Sequence, residues 1–184
     1  ILGSVRPNNN SAKALALVHD ELNKISNVKT ANIDPAELNL SLPGIENNSG
    51  DAKWVNEQVK SADGVIIVSP EYNGSYSSVI KLVIDNFNFP ALLKEKPIAL
   101  VGVASGQIGA IKSLEHLRSV LSHMGAIVLP GPVSIASVDN VFNESGDCLD
   151  DILMKRLRNS TDNLLKFIKI NLLPSVSLEE LSRN

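Results

Sequence analysis

With one cysteine, Cys148, this chain cannot close an internal disulfide, so no covalent staple holds it and a reducing, cytoplasmic setting is expected. It also lacks an excess of positive charge. Its 17 Lys and Arg against 20 Asp and Glu leave a net charge of −3, which argues against sequence-independent binding of nucleic acid. No apolar run approaches the roughly 20 residues of a membrane-spanning helix. No basic patch followed by an apolar stretch opens the sequence as a secretory signal does. There is no initiator Met, and Ile1-Leu2 is short for a strand ahead of the first loop, so the first strand is expected to be incomplete in the sequence given. What is present is ordinary globular composition. With 43% apolar and 20% charged residues, 184 residues are enough to bury a core in one domain spanning 1–184.

Apolar periodicity alternates between strand and helix along the chain. Ile1-Leu2 reads as the tail of a strand, and Ala14, Leu15, Val18 and Leu22 recur at helical spacing behind Asn10 or Ser11 as a cap. Val28 to Ile33 alternates as a second strand, and Pro35 to Ser49 reads as a loop. Asp51 to Ala62 is a short amphipathic helix built on Trp54, Val55 and Val59. Val65-Ile66-Ile67-Val68 reads as a strand buried on both faces, and Ser78 to Phe87 as the next helix. Pro97 to Ala104 is a further buried strand. Gly106 to Met124 is a helix with Ile108, Ile111, Leu114, Leu117, Val120 and Leu121 inward, and Ala126 to Leu129 a last strand. A Gly/Pro/Asn-rich connection over 130–147 leads to a final helix from Leu149 to Leu173, and 174–184 forms a tail. Such alternation implies a parallel sheet covered on both faces. Five strands and five helices match the flavodoxin-like α/β sandwich, with strand order 2-1-3-4-5.

Two loops fall where that winding reverses. Gly3-Ser4-Val5-Arg6-Pro7-Asn8-Asn9-Asn10-Ser11 offers amides and hydroxyls at a helix start, and Arg6 adds a fork suited to phosphate. It is neither a P-loop, lacking Gly-Lys-Ser/Thr, nor a Gly-x-Gly-x-x-Gly turn. The second loop, Ser69-Pro70-Glu71-Tyr72-Asn73-Gly74-Ser75, presents backbone amides and an aromatic face with little bulk, which suits a flat ring with polar edges. Each loop alone also reads as a plain capped turn; their coincidence at one crevice is the specific signal. Ser105-Gly106-Gln107-Ile108-Gly109 borders the same crevice. Cys148 lies among Asp147, Asp150 and Asp151 with no base to activate it. No His pair has metal-ligand spacing, and no metal site or acid/base catalyst is assigned.

Taken together, Gly-Ser-x-Arg, Ser-Pro-Glu-Tyr-Asn-Gly-Ser, Lys81 to Asp85, Ala104-Ser105-Gly106-Gln107-Ile108-Gly109, Leu117-Arg118 and Gly125 to Pro130 resemble the NADPH-dependent FMN reductase family over about residues 1 to 130. The resemblance implies a flavodoxin-like fold holding FMN non-covalently. Ser4, Arg6 and Ser11, with amides near Asn10 and Ala12, would hold the phosphate. Pro70, Glu71, Tyr72, Asn73 and Gly74 would line the isoalloxazine, with Ser105 and Gly106 at its other edge. It also implies NADPH or NADH as electron donor, a small-molecule acceptor such as a quinone, flavin, azo compound or metal oxyanion, and a homodimer or homotetramer. The competing reading is a flavodoxin-like electron carrier serving a protein partner, for which a net charge of −3 gives little docking surface.

Overall fold

Two parallel strands, β1 (Val65–Tyr72) and β3 (Pro97–Val103), make the centre of the sheet, paired from Val65↔Ile98 to Pro70↔Val103. Successive side chains on a strand point to opposite faces, and the core divides accordingly. Val65, Ile67, Ile98 and Leu100 pack against α2 (Asp51–Ser61), α3 (Ser78–Asp85) and α4 (Ile111–His123) through Val55, Val59, Ile80, Val83, Leu117 and Leu121. Val68, Val101 and Val103 pack against α1 (Asn10–Asn23) and α5 (Asp151–Asn171) through Ala14, Val18, Leu153 and Leu157. The result is the expected flavodoxin-like three-layer arrangement, seen in a computed structural model that describes residues 1–88 and 92–171. The last two residues of the expected final helix, Leu172 and Leu173, and the 174–184 tail lie outside those residues.

Strand count departs from the expected order 2-1-3-4-5. The segment 28–33 has no regular structure and forms no ladder; its tie to the sheet is the Leu2 amide donating to the Ile33 carbonyl at 3.0 Å. Ile1-Leu2 contributes one parallel bridge, Leu2↔Val68. Between 28–34, α1, α5 and the amino end of β1 lies a cavity of about 1390 Å³. On the other side of the sheet the expected strand 126–129 is longer and broken. Both β4 (Ile127–Val128) and β5 (Val133–Ile135) run parallel to β3. Pro130 and Pro132 between them have no N–H to give to a ladder, and Arg118 donates to the Val128 and Leu129 carbonyls at 3.0 and 2.8 Å. The 130–147 connection is more ordered than its composition implies. It carries β5, a 3₁₀ turn at Val138–Asn140 and a Phe142↔Cys148 bridge, with Val138, Val141 and Phe142 buried.

Two helices present a different face from the one their apolar pattern implies. Trp54 is exposed, and the inward residue beside Val55 and Val59 is Asn56. Its amide donates to the Ala52 and Asn86 carbonyls and its oxygen accepts from the Asn88 amide, so the buried polar group is fully engaged. Helix α4 begins at Ile111, not Gly106, which leaves Ile108 82% exposed and Ile111 exposed as well. On α3, Ile80, Val83 and Ile84 are buried in this chain's own core. Among the described residues no helix is long and apolar enough to cross a membrane.

An ion cluster clasps α1 to α5. Glu21 accepts from Arg158 at 3.0 and 3.1 Å and from Lys24 at 2.6 Å. These bonds, Arg158 foremost and then Lys24, hold the Glu21 carboxyl down at about 2. A depressed carboxylate stabilises the fold fully above its ordinary value near 4.5 and loses that contribution as pH falls toward 2. Glu21→Gln is therefore expected to flatten this part of the acid limb. Chemical denaturation at pH 7, 4.5 and 2.5 checks it, and parallel pH profiles for parent and variant would contradict the assignment.

Candidate functional site

The loop from Gly3 to Asn9 turns tightly into α1. Asn8 takes the left-handed conformation (φ +53°), and Asn9 caps the helix by accepting the Ala12 amide at 2.8 Å while donating to the Arg6 carbonyl at 2.7 Å. The Ala12 amide, expected to face an anion, is thus already engaged. Among the described residues the Asn10 and Ser11 amides have no acceptor. Ser4 and Ser11 are both buried, each 2% exposed. Ser4 Oγ accepts from the Arg6 amide at 3.4 Å, and the Ser11 hydroxyl bonds to no described residue. Free amides, spare hydroxyl donors and a helix N-terminus are the groups at this end of α1 that could hold an anion.

The second loop is a hairpin. Strand β1 continues through Pro70, Glu71 and Tyr72, and the chain reverses at Asn73-Gly74 into β2 (Ser75–Tyr76), pairing Glu71↔Tyr76 and Tyr72↔Ser75. Both turn residues have positive φ, +52° and +75°, the type I′ geometry for which Asn-Gly is the preferred pair. The hairpin is moored to α4. Glu71 Oε2 accepts the Ser113 amide at 3.1 Å in the helix's first turn, where a carboxylate also meets the favourable end of the dipole. Glu71 is therefore occupied as a brace. The Ser75 hydroxyl meets His116 Nδ1 at 3.1 Å.

Polar contacts sew the loops together. Gly3 donates to the Val68 carbonyl at 2.8 Å, and the Ser77 hydroxyl, which also caps α3, donates to the Gly3 carbonyl at 2.6 Å. The Arg6 guanidinium lies 4.8 Å from the centroid of the Tyr72 ring, so the Gly3–Ser11 loop and the hairpin border one space. The third loop closes the rim. Ser105 and Gly106 are exposed, and a Cβ at Gly106 would meet nothing within 4 Å, so backbone faces open space there. Gly106 O accepts the Ser137 amide at 3.1 Å, and Asn10 Nδ2 donates to Asp139 Oδ1 at 3.2 Å, linking the turn after β5 back to α1.

The twelve residues singled out in the sequence thus lie on two loops, in the Asn73-Gly74 turn, in the first turn of α1, or, for Pro70, Glu71 and Tyr72, in the last residues of β1, at the carboxyl ends of the strands where ligands enter open α/β sheets. Sequence reasoning missed Ser77, Ser113, Ser134 and Asp139. Ser77 carried a signal, as a cap residue ahead of an apolar helical run. The others act across separations of 24 to 129 residues, which no local pattern announces. Among the described residues no group of His, Cys, Asp or Glu is arranged to hold a metal ion.

Comparisons with known proteins bear on the family and the fold. The sequence matches the family described as NADPH-dependent FMN reductase over residues 1–140. An FMN-dependent NADPH-azoreductase of Staphylococcus aureus is 29% identical over 177 residues, covering 91% of this chain and 93% of the relative. Among solved structures, the flavoenzyme NAD(P)H:(acceptor) oxidoreductase FerB of Paracoccus denitrificans superposes with a TM-score of 0.77 at 22% identity, over 92% of this chain and 94% of that one. The apo form of the NADH:FMN oxidoreductase EMOB gives 0.75 at 20% identity, over 95% and 89%. The family match extends over most of the chain and includes both loops of the crevice, so the chain belongs to the NADPH-dependent FMN reductase family, oxidoreductases that work with FMN and NAD(P)H.

Proposed function

We propose that the crevice between the Gly3–Ser11 loop, the Pro70–Gly74 hairpin and Ser105-Gly106 holds FMN, and that the enzyme passes electrons from NADPH or NADH to a small acceptor: a quinone, free flavin, azo compound or metal oxyanion. The observation that carries this reading is the contact of Arg6 with Tyr72, which sets a cation and two free helix amides beside an aromatic turn of little bulk. The residues present fit the group. The Asn10 and Ser11 amides, the Ser4 and Ser11 hydroxyls and the Arg6 fork are donors without competing acceptors, suited to a phosphate ester. The small turn at Asn73-Gly74 and the open face at Gly106 leave room for a planar ring.

Bound FMN supplies the hydride and electron chemistry. The protein's part is to bind and orient. Arg6 and the α1 amides fix one end of the cofactor, and the hairpin, braced through Glu71 to α4, fixes the height of the ring wall. Because its carboxylate is engaged by Ser113, Glu71 acts as support and no acid/base catalyst is assigned. Donor and acceptor use the same exposed side of the crevice in turn, which corresponds to ping-pong kinetics. Pairing of copies, as homodimer or homotetramer, is part of the same reading.

The purified protein is expected to be yellow with flavin absorbance, to bleach on anaerobic addition of NADPH, and to regain colour when an azo dye or quinone is added. A colourless protein that fails to take up FMN would overturn the cofactor assignment. Colour without bleaching by NADPH would favour a one-electron carrier over a reductase.

A further inference from the structure

The geometry points to Asp139 as a specificity-determining residue that limits how tightly the phosphate end of FMN is held, an inference that rests on the reading of the Gly3–Ser11 loop as the phosphate seat. Asp139 belongs to the 3₁₀ turn Val138–Asn140, which comes directly after Ser137 in the left-handed conformation (φ +46°). The turn is not a loose loop. The Val138 amide donates to the Ala104 carbonyl at 3.1 Å, the Ser137 amide to the Gly106 carbonyl at 3.1 Å, and the Val138 side chain is buried. The backbone therefore delivers the carboxylate to a fixed place. That place is beside Asn10, whose amide nitrogen donates to Asp139 Oδ1 at 3.2 Å.

Asn10 is the first residue of α1, and the two amides without acceptors belong to it and to Ser11. Ser11 adds a side chain that is 2% exposed and whose hydroxyl has no partner among the described residues, a spare donor beside the two amides. An uncompensated negative charge one side chain from an anion seat is unusual, because the helix dipole and Arg6 otherwise favour negative charge there. Among the described residues Asp139 has no ion-pair partner. Lys13, the nearest cation along α1, is directed instead to the Asn143 carbonyl at 3.4 Å and the Phe142 ring at 5.9 Å. Arg6 stands over Tyr72. A phosphate at the Asn10 and Ser11 amides would thus have both the Arg6 guanidinium and the Asp139 carboxylate among its charged neighbours.

A phosphate monoester carries close to two negative charges at neutral pH, so this opposition weakens binding of the phosphorylated flavin and leaves riboflavin, which has no phosphate, untouched. The effect is a cofactor that is held yet exchanges with free FMN. At the separations and exposure involved, removing one charge is expected to change affinity by about three- to tenfold.

The test compares FMN with riboflavin as probes on the full chain, in parent and Asp139→Asn, by quenching of flavin fluorescence at low and high salt. Asn keeps the oxygen that accepts from Asn10 and removes the charge. The expected result is an FMN dissociation constant about three- to tenfold lower in the variant, with riboflavin unchanged and the FMN gap narrowing in high salt. Unchanged FMN affinity overturns the inference. So does equal tightening of both ligands, which would assign Asp139 to loop packing. Asp139→Ser, which removes the charge with a smaller side chain, must show the same selectivity for the phosphate. A parent that binds FMN no more tightly than riboflavin would remove the phosphate seat itself, a failure of the underlying reading that is distinct from an FMN-selective parent with a silent variant.

Discussion

Replacing Arg6 by alanine is expected to raise the FMN dissociation constant by roughly 10- to 150-fold, the scale of a hydrogen bond to a charged group at ~1.5–3 kcal/mol. Three observations set the direction. The guanidinium has no carboxylate partner among the described residues, so its charge is available to a ligand. Its standing contact, with the half-buried Tyr72 ring at 4.8 Å, is made by an exposed guanidinium and is worth only about 0.5–1 kcal/mol. A phosphate therefore offers it more than it gives up. Its own backbone is held by Asn9, whose side chain donates to the Arg6 carbonyl at 2.7 Å, so the loop keeps its course when the side chain is removed. Arg6→Lys should recover part of the loss, since an ammonium keeps the charge and loses the planar fork. Riboflavin affinity should fall much less than FMN affinity in both variants. Titration by fluorescence quenching separates the ligands, and equal FMN constants for parent and Arg6→Ala would place the phosphate elsewhere.

The Arg6–Tyr72 contact also explains how far sequence reasoning reached. A run such as Val65 to Val68 has no other stable home than a strand buried on both faces, and Asn73-Gly74 is a turn in almost any context. Those local preferences place the loops at strand ends, and the topology of a doubly wound sheet then places the loops together. The limits are equally physical. Asn-Gly specifies a turn but not the course of the chain beyond it, so the two-residue strand β2, stabilised by pairing with Glu71 and Tyr72, could not be read from Ser75-Tyr76. The run Val28 to Ile33 alternates as a strand should, yet strand pairing is a property of two segments. Here the partner side offers only the Leu2 amide. Helical periodicity carried α4 back to Gly106 because Ile108 and Ile111 fit the spacing. The left-handed Gly109 (φ +77°) stops the helix, and both isoleucines are left in solvent. Asp139 had no signature at all. Its relation to Asn10 spans 129 residues and exists only because β5 pairs with β3.

The stop at Gly109 is itself the second large effect. Gly109→Ala is expected to destabilise the fold by roughly 2–4 kcal/mol, combining left-handed strain with overpacking of a filled site. A Cβ at this position would collide with the Ser134 hydroxyl oxygen and lie 3.4 Å from the Ala136 Cβ. The hydroxyl cannot withdraw freely, because it accepts the amide of Ala110, a fully buried residue at the start of α4, at 2.9 Å. That helix has no side-chain cap of its own, so displacing Ser134 leaves a buried N–H without a partner. Gly106, three residues earlier, supplies the control. A Cβ there meets nothing within 4 Å and its φ is not positive, so Gly106→Ala should stay within about 0.5 kcal/mol of the parent. Ser134→Ala removes the colliding oxygen. In a double-mutant cycle the pair Gly109→Ala/Ser134→Ala should therefore be less destabilised than the sum of the single changes. Because the same turn holds the proposed third wall of the crevice, Gly109→Ala should weaken FMN binding even where the chain remains folded. Urea denaturation of the four proteins reads the cycle. Additive penalties, or a Gly109→Ala variant as stable as Gly106→Ala, would show that the contact between the third loop and β5 is not what fixes the start of α4.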